Sequence, residues 1–257
     1  MKYYIVDAFT EKLFEGNPAG VCVLEKKIAN DLMQKIAMEN NLAETAFVLK
    51  TKDGFELQWF TPDFEIDLCG HATLATAFVV SNFVEKEKKE FEFFTKSGIL
   101  KVKKIENLYE MNFPNRPMKQ ISLTKEIIEA IGIVPKEIYC ERDLFLVLDT
   151  EKQVKEFVPD YFKLQKLSQW LGIVITAKGD SVDFVSRYFC PEMNTEDFVT
   201  GSSHCSLVPY WSKILGKTEL TAKQLSKRGG ILYCKQKDTH VLIAGKAVLY
   251  AVGELNF

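Results

Sequence analysis

The sequence predicts an α+β fold of two pseudosymmetric halves, each a curved, mostly antiparallel sheet wrapped around one central helix. Two observations predict it. One motif occurs twice, as FTPDFEIDLCGHATLATAF from Phe60 to Phe78 and as FCPEMNTEDFVTGSSHCSLVPYW from Phe189 to Trp211. Each copy opens Phe-x-Pro, places a Glu ahead of a Gly at the same spacing (Glu65 and Gly70, Glu196 and Gly201), and follows that Gly with a polar residue, His71 or Ser202. The two glycines lie about half the chain apart. The second observation is the run after each Gly: Ala72 to Val84 and Leu207 to Leu215 show no polar stripe. A helix that is apolar all round is buried all round.

The elements follow in order. Tyr3 to Phe9 and Ala19 to Leu24 read as strands joined by a turn at Gly16-Asn17-Pro18. Asn30 to Asn40 reads as an amphipathic helix with Leu32, Met33, Ile36 and Ala37 on one face and Asn30 or Asp31 as N-cap. Strands at Glu44 to Lys50 and Phe55 to Thr61 precede the first central helix. Asn115 to Ser122, flanked and broken by Pro114 and Pro117, is the natural linker. It divides the chain into residues 1–116 and 117–245, with a C-terminal strand, 246–257, returning to complete the first half. Leu144 to Leu148, Asp183 to Phe189, His240 to Ala244 and Ala247 to Val252 read as the later strands.

Composition narrows the function classes. A chain of 257 residues with 47% hydrophobic and 26% charged residues has the make-up of a soluble globular protein. Its net charge of −2 argues against nucleic acid, which demands a basic surface. No apolar run is long enough for a membrane span. The six cysteines include no CxxC pair and no zinc spacing, so no metal is expected. With a start reading MKYYIVDAF, reduced thiols and a cytoplasmic location are the expectation. The KEKKE run from Lys86 reads as a solvated turn.

Chemistry concentrates at the two junctions and at Glu44. In NNLAETAFV, Glu44 opens an apolar strand. Such a residue is either an edge-strand carboxylate in solvent or one facing a cleft, where desolvation favours the proton-accepting range that a general base needs. His71 stands just after Gly70 at the first turn of a buried helix, where free amides attract anions and an imidazole can move a proton. A purely structural His is the alternative. Asp197 and Ser202 suit helix capping as well as catalysis. His204 and His240 read as structural.

GNPAG (Gly16 to Gly20), NLAETAF (Asn41 to Phe47), LCGHATLATA (Leu68 to Ala77) and EDFVTGSSH (Glu196 to His204) together resemble the phenazine-biosynthesis PhzF-like family, which shares the diaminopimelate epimerase fold. The resemblance spans most of the chain and is weak between about residues 100 and 180. It implies two pseudosymmetric domains with a site in the cleft between them. Glu44 matches the family's acid/base glutamate, His71 the histidine of its GHA motif, and Asp197 and Ser202 the aspartate and serine of its EDPVTGS motif. Asn17, Gly70, Thr200, Gly201 and Ser203 are the implied substrate- or anion-binding positions. The implied activity is cofactor-independent isomerisation of a small carboxylate, with Glu44 removing and redelivering a carbon-bound proton in a homodimeric protein. Phe198 replaces the family's Pro, and GSSH replaces GSAH. Related epimerases use two cysteines; Cys69 has no partner before Thr200-Gly201, so a two-thiol mechanism is disfavoured while another epimerase or racemase mechanism stays open. A non-catalytic ligand-binding or interaction protein on the same fold is the alternative from another class.

Overall fold

The computed structural model describes residues 1–256; Phe257, the last residue of the expected strand 246–257, lies outside the described residues. The chain forms two compact units, one of Met1–Asn112 with the chain from Leu242 onward, the other of Phe113–Val241. The first runs β1 (Lys2–Ala8), β2 (Asn17–Leu24), α1 (Asn30–Asn40), β3 (Glu44–Lys50), β4 (Phe55–Phe60), β5 (Glu65–Ile66), α2 (Gly70–Val79), β6 (Glu90–Thr95) and β7 (Gly98–Ile105), and its boundary falls within β8 (Leu108–Pro114). Next come β9 (Lys119–Gln120), α3 (Lys125–Ile131), β10 (Glu137–Cys140), β11 (Leu144–Val147), α4 (Glu151–Glu156), α5 (Tyr161–Leu164), β12 (Ile173–Lys178), β13 (Phe184–Cys190) and β14 (Thr195–Asp197). The chain ends with α6 (His204–Leu215), β15 (Glu219–Gln224), β16 (Gly230–Gln236), β17 (His240–Gly245) and β18 (Ala247–Glu254). β18 pairs antiparallel with β1, so the C-terminal strand belongs to the first unit.

The duplication seen in sequence is a duplication of pairing. In the first unit β2 and β3 run parallel, β3 and β4 antiparallel, β4 and β6 parallel, and β6 and β7 antiparallel. In the second, β11 and β12, β12 and β13, β13 and β15, and β15 and β16 repeat that order of senses. The Phe-x-Pro turns coincide as well: Phe60 pairs with Glu65, and Phe189 with Glu196.

Helix α2 is the core of its unit. Every residue but Gly70 and Phe78 is buried, and the helix packs against β1, β2, β3 and β18. After Val79 the chain continues as a π-helical turn over Val80–Val84. Helix α6 departs from the expected all-round burial. It buries His204–Val208 with Trp211 and Ser212, but Ile214 is 54% exposed, so it covers one side of β15 and β16 rather than filling a sheet. Pro209 within it removes one backbone donor.

Other expectations need correction. The turn between β1 and β2 precedes Asn17; Asn17 and Pro18 are already strand, paired with Ala8 and Asp7. Gly16 makes that turn at φ 68°, and a Cβ there would stand 2.2 Å from the Ala8 carbonyl oxygen, so only glycine fits. Helix α1 has Ala29 at its N-cap with no side-chain cap, and Asn41 closes it in the left-handed region. The expected linker contains strand β9, and the unit boundary falls earlier, between Asn112 and Phe113. Helices α3, α4 and α5 lie where no element was expected. Their apolar residues, among them Ile127, Val154 and Leu164, join Leu146, Ile175 and Phe189 in a second-unit core. Thr124 caps α3, and Thr150 with Gln153 forms a capping box on α4.

Because Leu74 sits on α2 with no exposure, Leu74→Ala should lower stability by about 2–5 kcal/mol in urea unfolding. Loss of less than about 1 kcal/mol would mean that α2 is not the packed centre of its unit.

Candidate functional site

Three elements bring a polar cluster together in the first unit. Glu44 is the first residue of β3, paired with Ala19 of β2. Asn17 is the first residue of β2, and His71 is the second of α2, just past Cys69 at the N-cap. Glu44 Oε2 lies 3.0 Å from His71 Nε2, at ion-pair distance although not aligned as a hydrogen bond. On the other ring nitrogen, Nδ1 stands 3.2 Å from Asn17 Nδ2 and 3.5 Å from Cys69 Sγ. Asn17 has no exposure, and the His71 side chain is 6% exposed. The Glu44 side chain keeps 18%, and since Oε2 itself is covered, that exposure lies elsewhere on the side chain. Glu44 is thus neither free in solvent nor shut in.

The electrostatics of the cluster are those of a buried imidazole beside a carboxylate. Burial pulls the His71 pKa down, but the neighbouring Cys69 and Glu44 outweigh it, and the imidazole is held well above its ordinary value. The Cys69 thiol is pushed up by burial and then by the Glu44 charge, so it stays protonated near neutrality. The lasting counter-charge to His71 is therefore the Glu44 carboxylate. As imidazolium, His71 donates from Nε2 toward Glu44 and from Nδ1 toward Cys69 Sγ. A neutral His71 with its proton on Nε2 accepts at Nδ1 from the Asn17 amide. Glu44, Cys69 and His71 also offer donor atoms within 4.8 Å of one another. Their pairing works against one ion taking all three, because Glu44 and Cys69 address opposite nitrogens of the ring.

The second unit holds its implied site residues in a different arrangement. Gly201 and Ser202 lie in a tight turn ahead of α6, which begins only at His204, so Gly201 is not a helix N-terminal residue as Gly70 is. Within the turn His204 N–H donates to the Gly201 carbonyl and Cys205 N–H to that of Ser202. The Asp197 carboxylate accepts from Thr200 Oγ1 at 2.6 Å, and the Ser203 hydroxyl donates to the Thr200 carbonyl. Neither Asp197 nor Ser202 caps the helix. Ser202 Oγ instead accepts from Arg142 Nη2 at 3.1 Å. His204 is fully buried against the Thr200 carbonyl, and burial lowers its pKa to about 4, which fits a neutral structural imidazole. Phe198 lies beneath the Arg228 guanidinium.

Two residues of this arrangement were not singled out from sequence. Gln224, without exposure, accepts from Thr200 N–H and donates to the Asp197 carbonyl, clamping the turn. Its signal was alternation: Leu220, Ala222 and Gln224 share the inward face of β15. Arg142 had no comparable signal, because its motif lies in the weakly matching middle of the chain.

Strand register shows which residues occupy equivalent places. Phe60 pairs with Thr45 and Phe189 with Ile173, so the residue corresponding to Glu44 is Gly172. Cys69 before Gly70 corresponds to Thr200 before Gly201. The second unit therefore has no acid or base at either position.

The raised folded-state pKa of His71 gives a sign for pH dependence. The contribution of His71 to stability is complete below its unfolded value, about 6.5, and is lost as pH rises through the folded value. Urea unfolding of the protein and of His71→Gln should differ most at about pH 6 and converge in alkali. Imidazole NMR should show His71 still protonated at about pH 6.5. A ring that titrates below that point would remove the ion pair.

Sequence comparison shows that residues 6–253 match the model of the phenazine biosynthesis-like protein family, PhzC-PhzF. An uncharacterized isomerase from Pseudomonas aeruginosa is 43% identical over 258 residues, covering 100% of this chain and 98% of that protein. The crystal structure of a putative phenazine biosynthesis PhzC/PhzF protein from Clostridium difficile superposes with a TM-score of 0.97 at 56% identity, covering all of both chains. A probable proline racemase from Agrobacterium radiobacter, at 10% identity and TM-score 0.67 over 99% of this chain and 92% of its own, shares the fold. The chain belongs to the PhzC-PhzF, phenazine biosynthesis-like, family.

Proposed function

We propose that the protein is a cofactor-independent isomerase of a small carboxylate, in which Glu44 takes a proton from one substrate carbon and returns it to another. The observation that supports this most is the Glu44 carboxylate held 3.0 Å from a buried, cationic His71. The C–H electron pair passes into a delocalised anion, the proton goes to Glu44, and redelivery at the second carbon moves a double bond. Atoms and charge balance without an added redox partner. His71 orients the carboxylate and offers positive charge as the substrate anion develops. The Gly70 and His71 amides, which have no carbonyl partner within α2, would help hold that anion.

The choice of isomerisation over inversion rests on the lone base. Inverting a stereocentre needs a proton donor on the face opposite the base. The two positions that repeat the acid/base sites of the first unit carry Gly172 and Thr200. Cys69, protonated near neutrality, is a poor second base. One carboxylate that removes and returns a proton is suited to a shift along one face of the substrate. The reading includes a homodimer, and light scattering that finds only monomer would remove that part.

Exchange of a substrate carbon-bound proton with deuterated water tests the chemistry. Glu44→Gln keeps size and polarity but cannot take the proton, so exchange should fall by roughly 10²- to 10⁴-fold with ligand affinity little changed. Wild-type exchange by the variant would remove Glu44 from the mechanism. Ligand binding with no exchange by the wild-type protein, across small cyclic and unsaturated carboxylates, would favour a binding protein instead.

A further inference from the structure

We infer that Arg142 is a carboxylate-binding residue of the second unit, acting beside Ser202 and held in place by Asp143, Tyr188 and Gly172. The inference deepens the isomerase reading, and rests on it, in identifying the bound anion as the substrate's carboxylate.

Arg187 and Arg142 of this unit are each paired with a carboxylate, and the contrast between them is informative. Arg187 has four of its five N–H donors engaged: Nε and Nη2 fork onto Glu196 at 2.7 and 2.9 Å, and Nη1 donates to the carbonyls of Val154 and Phe157. It ties strand β13 to the helical layer, and both of its Nη1 donors are taken by carbonyls. Arg142 forks onto Asp143 through Nε and Nη2 at 3.1 and 2.9 Å, and Nη2 also reaches Ser202 Oγ. Among the described residues nothing accepts from its Nη1. Its side chain is 31% exposed against 10% for Arg187. A guanidinium with one edge fixed and one terminal nitrogen open is oriented toward an external acceptor.

The support behind it is built rather than incidental. Asp143 is buried and, besides the Arg142 fork, accepts from the Tyr188 hydroxyl at 3.0 Å. Tyr188 reaches it only because residue 172 is glycine. A Cβ at Gly172 would lie 2.1 Å from the Tyr188 hydroxyl oxygen and ring carbon. Gly172 also accepts the Leu144 N–H through its carbonyl, and Leu171 N–H donates to the Arg142 carbonyl, fixing the backbone on both sides. The position that carries Glu44 in the first unit thus gives its space here to a phenol that steadies an arginine. Arg116 is close enough to act with Arg142 on Cys205, drawing down a thiol that burial raises to about 11. Glu141, the acid next along the chain, is exposed, and its influence on both Arg142 and Cys205 is the weakest of those acting there. The open edge of Arg142 therefore lies next to the Ser202 hydroxyl, with Arg116 as a second cation nearby.

Benzoate is the probe, titrated into the full-length protein and followed by NMR at the Ser202 amide and the Arg142 side chain. Wild type should show saturable shifts at both. Arg142→Gln should weaken binding by about 10- to 100-fold, the loss expected for a charge-assisted pair. Arg142→Lys keeps charge but not the fork, and should lie between; it decides the case should Arg142→Gln fail to fold. Tyr188→Phe should weaken binding by a smaller factor while leaving the fold intact by thermal melting. No shift in the wild-type protein, or unchanged affinity in folded Arg142→Gln or Arg142→Lys, overturns the inference. Unchanged benzoate affinity in these variants with Glu44-dependent exchange preserved would sink Arg142 alone. Arg142-dependent binding without exchange would sink the isomerase reading alone.

Discussion

The burial of α2 is the constraint on which the first unit depends. An eleven-residue amphipathic helix such as α1 can lie on one face of a sheet, with Met33, Ile36 and Ala37 inward. A helix whose Ala72, Leu74, Ala75, Ala77 and Val79 are all without exposure needs apolar surface on every side. Strands β1, β2, β3 and β18 supply it, and the C-terminal strand must return across the whole sequence to do so. The same constraint carries His71, one residue into the helix, out of water. A buried imidazole needs partners. Asn17 and Glu44 supply them from the first residues of β2 and β3, where strand ends meet the start of the helix. The chemistry of the site follows from where the packing leaves a polar group.

The two units share a pairing order and differ in what stands at each equivalent place. Glu65 in the first hairpin is held by Gln58 and Lys96, at least partly in solvent, whereas Glu196 is locked onto buried Arg187. Breaking a buried pair of that kind by removing one partner commonly costs about 3–5 kcal/mol, while an exposed pair contributes about 0–1. The two glutamates are about equally covered, at 14% and 15% exposure, but only Glu196 has a buried partner that its loss would strand. Helix α2 begins directly at Gly70; α6 begins three residues later than Gly201, after a turn fixed by Thr200, Ser203 and Gln224. Topology is retained where packing needs it, and side-chain chemistry has diverged around it.

Much of this was legible from residue pattern, for reasons that differ by element. The repeated Phe-x-Pro turn, the apolar runs after Gly70 and Gly201 and the alternation of the strands each reflect local geometry, so one sequence suffices to read them. The Glu44–His71 proximity rested on resemblance, because residues 27 apart in sequence meet only through the pairing of β2 with β3 and the packing of α2. Helices α3 to α5 were missed although the Thr150 capping box was written in the chain; each is too short to show a helical period. The turn at Gly16-Asn17-Pro18 was misplaced because Pro18 reads as a breaker, yet it is tolerated near the first residue of a strand. The Arg142 cluster was hidden for a deeper reason. Its meaning lies in a glycine whose absent side chain makes room for a tyrosine from another strand, and no local pattern records that.

In the proposed reaction, a carboxylate paired with an imidazolium, rather than a lone carboxylate, would have an electrostatic logic across the proton transfer. Before the step, Glu44 and His71 neutralise one another. When Glu44 takes the proton, the imidazolium loses its counter-charge at the moment a negative charge appears on the substrate. Two unit charges about 4 Å apart attract by about 4 kcal/mol at an effective dielectric of 20. An anion formed within that reach replaces the lost partner, so the charge on His71 is matched at both ends of the step and favours the transfer most as the substrate becomes anionic. A neutral thiol such as that of Cys69 cannot play the part of Glu44. Its proton would have to leave first, against burial and against the carboxylate beside it. In the proposed reaction the two neighbours of His71 would have different tasks: Glu44 would exchange protons, and Cys69 would fill the space beside Nδ1 and stay protonated.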